Sequence, residues 1–247
     1  MIKLDRAERE VAHGKKLSAL GAEKIWGWGT PAGQVRAKRR AEIIIATTKM
    51  IPGKKTLEIG CGTGIFTEYF AQTGATITAV DISDDLLSSA KARKLPSTVR
   101  FILSRFEDLA SDEQFDIVVG SSVLHHLDIE PALINIFRLL KPGGVISFGE
   151  PNMLNPQIML QKNISWIKEL VGDSPDETAF FRWQIKSLLQ KVGFTNISIT
   201  PLTWLHPLTP PSLIPSILKI DQILEKVPLI KEFAGSLYIS AQKPYKE

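Results

Sequence analysis

The sequence is poor in cysteine and in long apolar runs. It has a single cysteine, Cys61, among 247 residues, so no disulfide can form within the chain. No stretch of about 18 apolar residues occurs, and no transmembrane helix is predicted. The first ten residues include six charged ones and lack the apolar stretch of a secretory signal. We therefore expect a cytoplasmic protein in a reducing compartment.

Several catalytic motifs are missing as well. There is no H-E-x-x-H motif and no Cys/His cluster, so the sequence predicts no metal site. There is no G-x-S-x-G elbow, which argues against a serine hydrolase of the α/β-hydrolase type. Histidine, the common general base, occurs only four times, as His13, His125, His126 and His206.

The net charge of +4 is distributed unevenly along the chain. Residues 1–55 contain 13 Lys and Arg against 5 Asp and Glu, whereas the remainder contains 17 against 21. A basic segment attracts anionic substrates, nucleic acid or a membrane surface, but it can also be a solvated helix face. Arg36 and Arg40 share one face of a predicted helix, where they either remain solvated or bind an anionic group.

Beyond residue 55, short apolar segments alternate with helical ones. The predicted strands are residues 56–59, 76–80, 99–103, 115–119, 145–148, 197–200 and 237–241, and the helices among the first five strands are 64–73, 84–93 and 130–140. Continuous apolar strands separated by amphipathic helices are typical of a parallel sheet covered on both faces. We predict a Rossmann-like, doubly wound α/β sheet that is mostly parallel, with an antiparallel last strand.

The pattern also predicts how the chain is divided. Residues 1–52 form an N-terminal helical segment, with helices at 1–24 and 33–50, and residues 53–247 form the main domain. Two insertions interrupt that domain: about 153–177, with a helix at 156–171, and about 202–234, which is rich in proline and apolar residues. A further helix is predicted at 178–191. A long irregular segment inside a compact domain is usually functional, so we expect both insertions to cap a site.

The strongest motif is Leu-Glu-Ile-Gly-Cys-Gly-Thr-Gly at residues 57–64, where a predicted strand turns into a helix. Glycines at such a turn make it tight and let a ligand approach the backbone closely. The G-x-G-x-G spacing differs from the G-x-G-x-x-G of dinucleotide sites, and no Gly-Lys-Ser/Thr follows as in a P-loop.

A carboxylate, Asp81, ends the second predicted strand, 17 residues beyond Gly64. An ionised carboxylate at this place can accept hydrogen bonds from both hydroxyls of a ribose. The alternative is that Asp81 caps the helix at 84–93. Combined with the glycine turn, the spacing favours ribose binding.

Four motifs in this order resemble those of class I S-adenosyl-L-methionine (SAM)-dependent methyltransferases. They are the 58–64 turn, Asp81, the 115–127 stretch and Leu-Lys-Pro-Gly-Gly at residues 140–144. The resemblance is greatest to the ubiquinone- and menaquinone-biosynthesis-like group of small-molecule enzymes. It covers residues 53–150, with a weaker similarity at 189–194. It implies SAM as cofactor, S-adenosyl-L-homocysteine as product and a SAM-binding main domain.

The resemblance also assigns residues to the cofactor. Glu58 and the glycine turn would hold its methionine end, Asp81 its ribose, and Ile82 its adenine. Where many relatives have an acidic residue against the adenine amino group, this chain has Arg105, so Glu107, the neighbouring Asp108 or the main chain takes that role. The residues assigned are Glu58, Gly60, Cys61, Gly62, Gly64, Asp81, Ile82, Phe106, Glu107 and Ser121.

Three polar residues near strand ends are candidates for catalysis: His125, His126 and Glu150. They follow the fourth and fifth predicted strands, at the carboxyl edge where ligands bind in open α/β sheets. A hydroxyl acceptor has to lose a proton, which favours one histidine as general base. Either histidine can instead be structural, and Glu150 can deprotonate or orient the acceptor, bind an amine or cap the chain.

The substrate class follows from the predicted cap. A pocket between the sheet edge and two apolar insertions suits a small hydrophobic or amphipathic metabolite, which we expect to be methylated at oxygen. Peripheral contact of the cap with a membrane would suit a lipid-like acceptor. The alternatives are an RNA methyltransferase that uses the basic N-terminal segment, although no RNA-binding module is recognisable, and a SAM-binding module without catalysis.

Overall fold

One seven-stranded sheet organises the chain in this computed structural model, which describes residues 5–109, 113–174 and 176–245. The order across the sheet is β3-β2-β1-β4-β5-β7-β6. Strands β1 to β5 pair in parallel, and β7 lies antiparallel to both of its neighbours, which confirms the predicted doubly wound sheet. The strands are β1 (Lys55–Ile59), β2 (Thr76–Asp81), β3 (Val99–Leu103), β4 (Phe115–Ser121), β5 (Leu140–Pro151), β6 (Thr195–Leu202) and β7 (Ser236–Gln242).

Helices cover both faces of this sheet, and each face has its own apolar core. On one face Leu133 of α6 and Leu189 of α9 are fully buried, and on the other Ile44 of α3 and Phe70 of α4. The helices are α1 (Arg6–Leu20), α2 (Ala22–Ile25), α3 (Pro31–Thr48), α4 (Ile65–Ala71), α5 (Asp84–Lys91), α6 (Ile129–Leu139), α7 (Pro156–Asn163), α8 (Ser165–Val171), α9 (Arg182–Val192) and α10 (Ile214–Leu224). Among the described residues no helix combines the length and apolarity needed to cross a membrane.

The N-terminal helices begin and end at clear local signals. Asp5 and Glu8 form a capping box at the start of α1, and Gly21 ends it in the left-handed conformation. The Thr30 side chain caps α3, whose first residue is Pro31. The first four residues of the helix predicted at 1–24 lie outside the described residues. The division at 52/53 stays a prediction, although α3 packs against α4 and β5 of the main domain.

The helix predicted at 156–171 is in fact two helices. Helix α7 ends at Asn163, whose side-chain amide donates to the carbonyl oxygen of Met159 at 2.7 Å. Ile164 is extended, and α8 starts one residue later. An asparagine side chain that bonds to the preceding turn competes with the backbone ladder, which is why the helix breaks here.

The helix predicted at 178–191 begins later, at Arg182. Phe180 instead pairs beside the end of β5: its N–H donates to Pro151, and its carbonyl accepts from Met153. Strand β5 is also longer than predicted, because the Lys-Pro-Gly-Gly segment forms an irregular part of it, with a register shift against β4. Residues 202–234 are not all loop, since α10 lies within them.

Candidate active site

A cavity of about 1190 Å³ opens at the carboxyl ends of the parallel strands. It lies where the strand order reverses between β1 and β4, the position at which open α/β sheets bind ligands. Its walls come from the glycine turn, α1, the turn after β4, α7 and the 203–208 segment. Single ligands are usually held in pockets of about 300–1000 Å³, so this cavity has room for two molecules.

The glycine turn forms one wall, and its backbone requires glycine. Gly60, Gly62 and Gly64 all have positive φ, between 52° and 79°. A Cβ atom at Gly60 would lie 2.3 Å from Val123 Cγ2, and one at Gly62 would touch the Trp26 ring at 3.3 Å. Gly60, Cys61 and Gly62 line the cavity, so their backbone is open to a ligand.

Asp81 lies beside this turn at the end of β2. One carboxylate oxygen accepts from the Gly62 N–H at 2.7 Å and the other from the Ser83 N–H at 2.9 Å. Burial raises the pKa of Asp81, and these N–H groups oppose that rise. The residue that caps α5 with its side chain is Ser83, so the alternative that Asp81 caps this helix is wrong. Asp81 lines the cavity.

Glu58 is placed differently. It is buried in β1 under the turn and is not part of the cavity wall. Burial raises the pKa of its carboxyl to about 8. Its Oε2 has no hydrogen-bond partner in the described part of the chain.

The segment expected at the adenine edge also lines the cavity. Ile82, Phe106 and Glu107 contribute to the wall, with Phe106 buried and Glu107 exposed. Arg105 lies there as well, and its guanidinium is within ion-pair distance of Asp5 at 3.4 Å and Asp108 at 3.6 Å.

Ser121 ends β4 and contacts Arg40, a residue whose place the sequence left open. The Arg40 guanidinium is buried and donates to the hydroxyls of Ser121 (2.8 Å), Ser122 (3.0 Å) and Ser236 (2.8 Å). The guanidinium carbon of Arg40 also lies 5.1 Å from the centre of the Trp28 ring. All these partners are uncharged, so a buried positive charge faces the cavity beside the end of β4.

The two adjacent histidines differ sharply in their surroundings. His125 is buried, with Nδ1 2.6 Å from Glu150 and Nε2 3.3 Å from Glu177. Burial lowers the pKa of His125, but the two carboxylates outweigh it and raise the pKa to about 9. His125 is therefore a cation near neutral pH, and neither of its ring nitrogens is free to accept a proton.

Glu150 does not line the cavity. It is fully buried, and its other oxygen accepts from the N–H groups of Val123 and Leu124, both at 3.0 Å. Burial raises the pKa of Glu150, but the contact with His125 and the two N–H groups outweigh burial and hold the pKa below its usual value. Glu150 thus fixes the turn after β4 and the ring of His125, and touches no cavity surface itself.

His126 lines the cavity and is partly exposed. Its Nδ1 lies 3.1 Å from one carboxylate oxygen of Glu10, and the other carboxylate oxygen of Glu10 accepts from the Ser174 hydroxyl at 2.7 Å. The contact between His126 and Glu10 is an ion-pair distance only, because within the described ranges Nδ1 of His126 is buried and has no partner in hydrogen-bond geometry. A carboxylate beside one ring nitrogen leaves the other ring nitrogen available to a ligand. Glu10 comes from α1, and nothing in the sequence around His126 predicted this contact.

Three residues of this region lie close enough together to be compared with a metal site. Ligating atoms of His125, His126 and Glu177 lie within 4.8 Å of one another. However, His125 is protonated between two carboxylates, and the Lys162 ammonium is bonded to Glu177. A protonated imidazole is not a metal ligand, so this set fits a divalent cation poorly.

The cap contributes polar groups as well as apolar ones. Lys162 is buried against Asp173, at 2.8 Å, and against Glu177, which ties α7 to the turn after β4. Of the apolar residues expected to line the pocket from 202–234, only Trp204, Leu205 and Leu208 do so. Helix α10 is not part of the wall.

A glycine-rich turn and a strand-end carboxylate at the switch point define a nucleotide-binding protein of the α/β class. The family model described as a methyltransferase domain matches residues 57–148. A ubiquinone biosynthesis O-methyltransferase of Pseudomonas fluorescens is 34% identical over 168 residues, 64% of this chain and 72% of the relative. Nodulation protein S of Rhizobium tropici is 28% identical over 53% of this chain and 57% of its own length.

Among solved structures, the N-methyltransferase NodS of Bradyrhizobium japonicum, in complex with S-adenosyl-L-homocysteine, superposes with a TM-score of 0.58. It is 18% identical, and the match covers 87% of this chain and 89% of NodS, which shows the shared fold. The chain belongs to the class I SAM-dependent methyltransferases, in the small-molecule group. Its cofactor is SAM, and the RNA-methyltransferase and non-catalytic alternatives are not supported.

Proposed function

We propose that this enzyme methylates a hydroxyl oxygen of a small amphipathic metabolite, and that His126 takes the proton. The observation that carries the proposal is the contrast between the two histidines. His126 faces the cavity with Glu10 at Nδ1, whereas His125 already holds its proton between Glu150 and Glu177. Bound SAM supplies an activated methyl group, so the chain has to align the acceptor and remove its proton.

The residues present fit the cofactor. The backbone of Gly60, Cys61 and Gly62 would lie along the methionine end, with Gly64 and Glu58 supporting the turn from beneath. Asp81 would accept hydrogen bonds from the ribose hydroxyls. The buried, positively charged Arg40 beside Ser121 would bind the carboxylate of the methionine part of SAM. Ile82, Phe106 and Glu107 would surround the adenine.

The choice of oxygen over nitrogen rests on charge. A neutral amine needs no base before it attacks, whereas a hydroxyl gains from one. A cationic amine would need a free carboxylate, and the two wall carboxylates that contact the histidines are engaged: Glu10 by His126 and Ser174, and Glu177 by His125 and Lys162. These contacts favour an acidic hydroxyl, such as a phenol, over an amine.

The part of the cavity wall that the cap contributes suits an amphipathic acceptor. Trp204 and Leu205 offer apolar wall, and Gln157 and His206, whose side-chain nitrogens lie 2.9 Å apart, offer polar groups.

We also propose that the outer surface of the cap touches a membrane, because Trp166, Leu170 and Leu229 are 65%, 76% and 79% exposed.

The test is methyl transfer from isotopically labelled SAM to matched pairs of phenols and anilines. We expect methylation of phenols, and in His126→Gln a fall in kcat of about 10²–10⁴-fold with unchanged S-adenosyl-L-homocysteine affinity. The control is His13→Gln, another cavity histidine, which should retain most of the activity. Preferential methylation of anilines, or full activity in His126→Gln, would contradict the proposal.

A further inference from the structure

Two buried donors in the cavity wall have no partner. Arg36 lies on α3, and its Nε is buried without a hydrogen bond, as is Nε1 of the Trp204 indole. Both residues line the cavity. Buried polar groups are nearly always hydrogen-bonded, so two unpaired donors in one cavity point to a ligand that accepts hydrogen bonds.

Arg36 also lacks a counter-ion. Within residues 5–109, 113–174 and 176–245, no carboxylate lies within ion-pair distance of its guanidinium, although Arg39 on the same helix binds Asp221 and Glu225. The guanidinium carbon of Arg36 lies 5.1 Å from the centre of the Trp28 ring. Burial, followed by the charge of Arg40, lowers the pKa of Arg36 to about 10, which still leaves it positive near neutral pH.

Both donors lie where α3 meets the 203–208 segment of the cap. Ala32, one turn before Arg36 on the same face of α3, packs against Leu205, the residue after Trp204. The Thr30 hydroxyl donates to the carbonyl oxygen of Pro207 at 2.6 Å, which holds the start of α3 against the cap. Arg36 therefore lies beside the 203–208 segment.

None of the carboxylates in the described part of the cavity wall forms an ion pair with Arg36, and the other basic groups near it cannot neutralise its charge. Arg40 is a second buried cation with only uncharged partners, and SAM brings one carboxylate against an ammonium and a sulfonium. His206 is neutral, because burial and the charge of Arg36 both lower its pKa. If the cofactor carboxylate binds Arg40, the charge of Arg36 is left for a second anion.

We propose that the methyl acceptor carries an anionic oxygen group, a carboxylate or a phosphate, which is bound by Arg36 and by the indole N–H of Trp204. The proposal rests on the proposed function only in that the same cavity holds the acceptor. The planar guanidinium pairs with either oxyanion through two hydrogen bonds, and Trp28 holds its face. The acceptor thus has a negatively charged end in addition to the atom that receives the methyl group.

The test is a binding measurement that needs no methyl transfer. The protein is saturated with S-adenosyl-L-homocysteine and titrated, with ligand-observed NMR, against benzoate and phenyl phosphate and against the neutral methyl benzoate and benzyl alcohol. We expect the anions to bind at least about tenfold more tightly than the neutral analogues. The stronger of the two anions identifies the group.

Variants decide whether Arg36 is responsible. Arg36→Gln should lose the preference for anions, and Lys38→Gln, an exposed lysine of the same helix, should keep it. Ligand-free Arg36→Met should melt at a higher temperature than the wild type, because an uncompensated buried charge is removed; a structural arginine would give a lower one.

The outcomes separate this inference from the proposed function. If the loaded wild type binds neither anion, or if Arg36→Gln binds them as well as the wild type, the inference is overturned. If the anions bind through Arg36 but anilines are methylated in place of phenols, the proposed function fails and the inference stands.

Discussion

Gly14 of α1 lies directly against Ser83, the cap of α5. A Cβ atom at Gly14 would come within 2.7 Å of the Ser83 hydroxyl oxygen and 2.8 Å of its Cβ. Ser83 in turn donates its backbone N–H to Asp81. The contact therefore joins the N-terminal helix, which carries Glu10, to the strand end that we assign to the ribose.

Gly14→Ala should loosen α1 without disturbing the sheet. Overpacking of this kind costs about 1–3 kcal/mol, so we expect a lower melting temperature and weaker binding of S-adenosyl-L-homocysteine by calorimetry. Adding Ser83→Gly should restore both, because glycine removes the clashing atoms and is itself a tolerable helix cap. Val11→Ala, at an exposed position of α1, is the control; equal effects of the two alanines would refute the packing argument.

Asp81→Asn should weaken binding of the cofactor by at least about tenfold. An amide has one accepting oxygen, so either the Gly62 or the Ser83 N–H loses its partner, and the ribose hydroxyls lose a charged acceptor. Titration calorimetry with S-adenosyl-L-homocysteine measures the change. Asp85→Asn, on the exposed side of α5, should bind like the wild type, and an unaffected Asp81→Asn would mean that Asp81 does not contact the ribose.

The raised pKa of His125 makes stability depend on pH. A group whose pKa rises on folding, here from 6.5 to about 9, stabilises the fold fully below pH 6.5 and loses that effect as the pH rises through 9. We expect this contribution, on the order of 2–3 kcal/mol, to disappear between about pH 6 and about pH 9.5 in chemical unfolding.

His125→Gln is the comparison for that measurement. It should be less stable than the wild type at the lower pH, and the difference should shrink towards the higher pH. Glu58, whose pKa is about 8, titrates in both proteins and cancels in the difference, which therefore reports His125 together with the carboxyl groups of Glu150 and Glu177 that it contacts. A constant difference across this range would show that His125 is not charged in the folded protein.

The exposed apolar side chains of the cap predict binding to lipid. In sedimentation with vesicles of mixed neutral and anionic lipid, the wild type should co-sediment, and a Leu170→Ser, Leu229→Ser double variant should stay in the supernatant. Ile134→Ser, at an apolar position of α6 that is 54% exposed, serves as the control. Absence of the wild type from the vesicle pellet would end the membrane proposal.

The sequence alone determined the sheet and the cofactor turn. Both depend on short-range signals: apolar strands alternating with helices, and glycines that follow β1 directly, with a carboxylate at the end of β2. A prediction from such local signals was wrong where a segment distant in sequence made a contact. Phe180 leaves the predicted helix because it pairs with the end of β5.

Only the tertiary structure decided how the adjacent histidines differ and where the basic residues lie. His125 and His126 are neighbours, but Glu150 and Glu177 enclose one, whereas Glu10 from α1 approaches the other. Arg36 and Arg40 turn inward because α3 packs between the sheet and the cap. Charge and proton position depend on groups brought together across long stretches of chain, and no local spacing encodes those contacts.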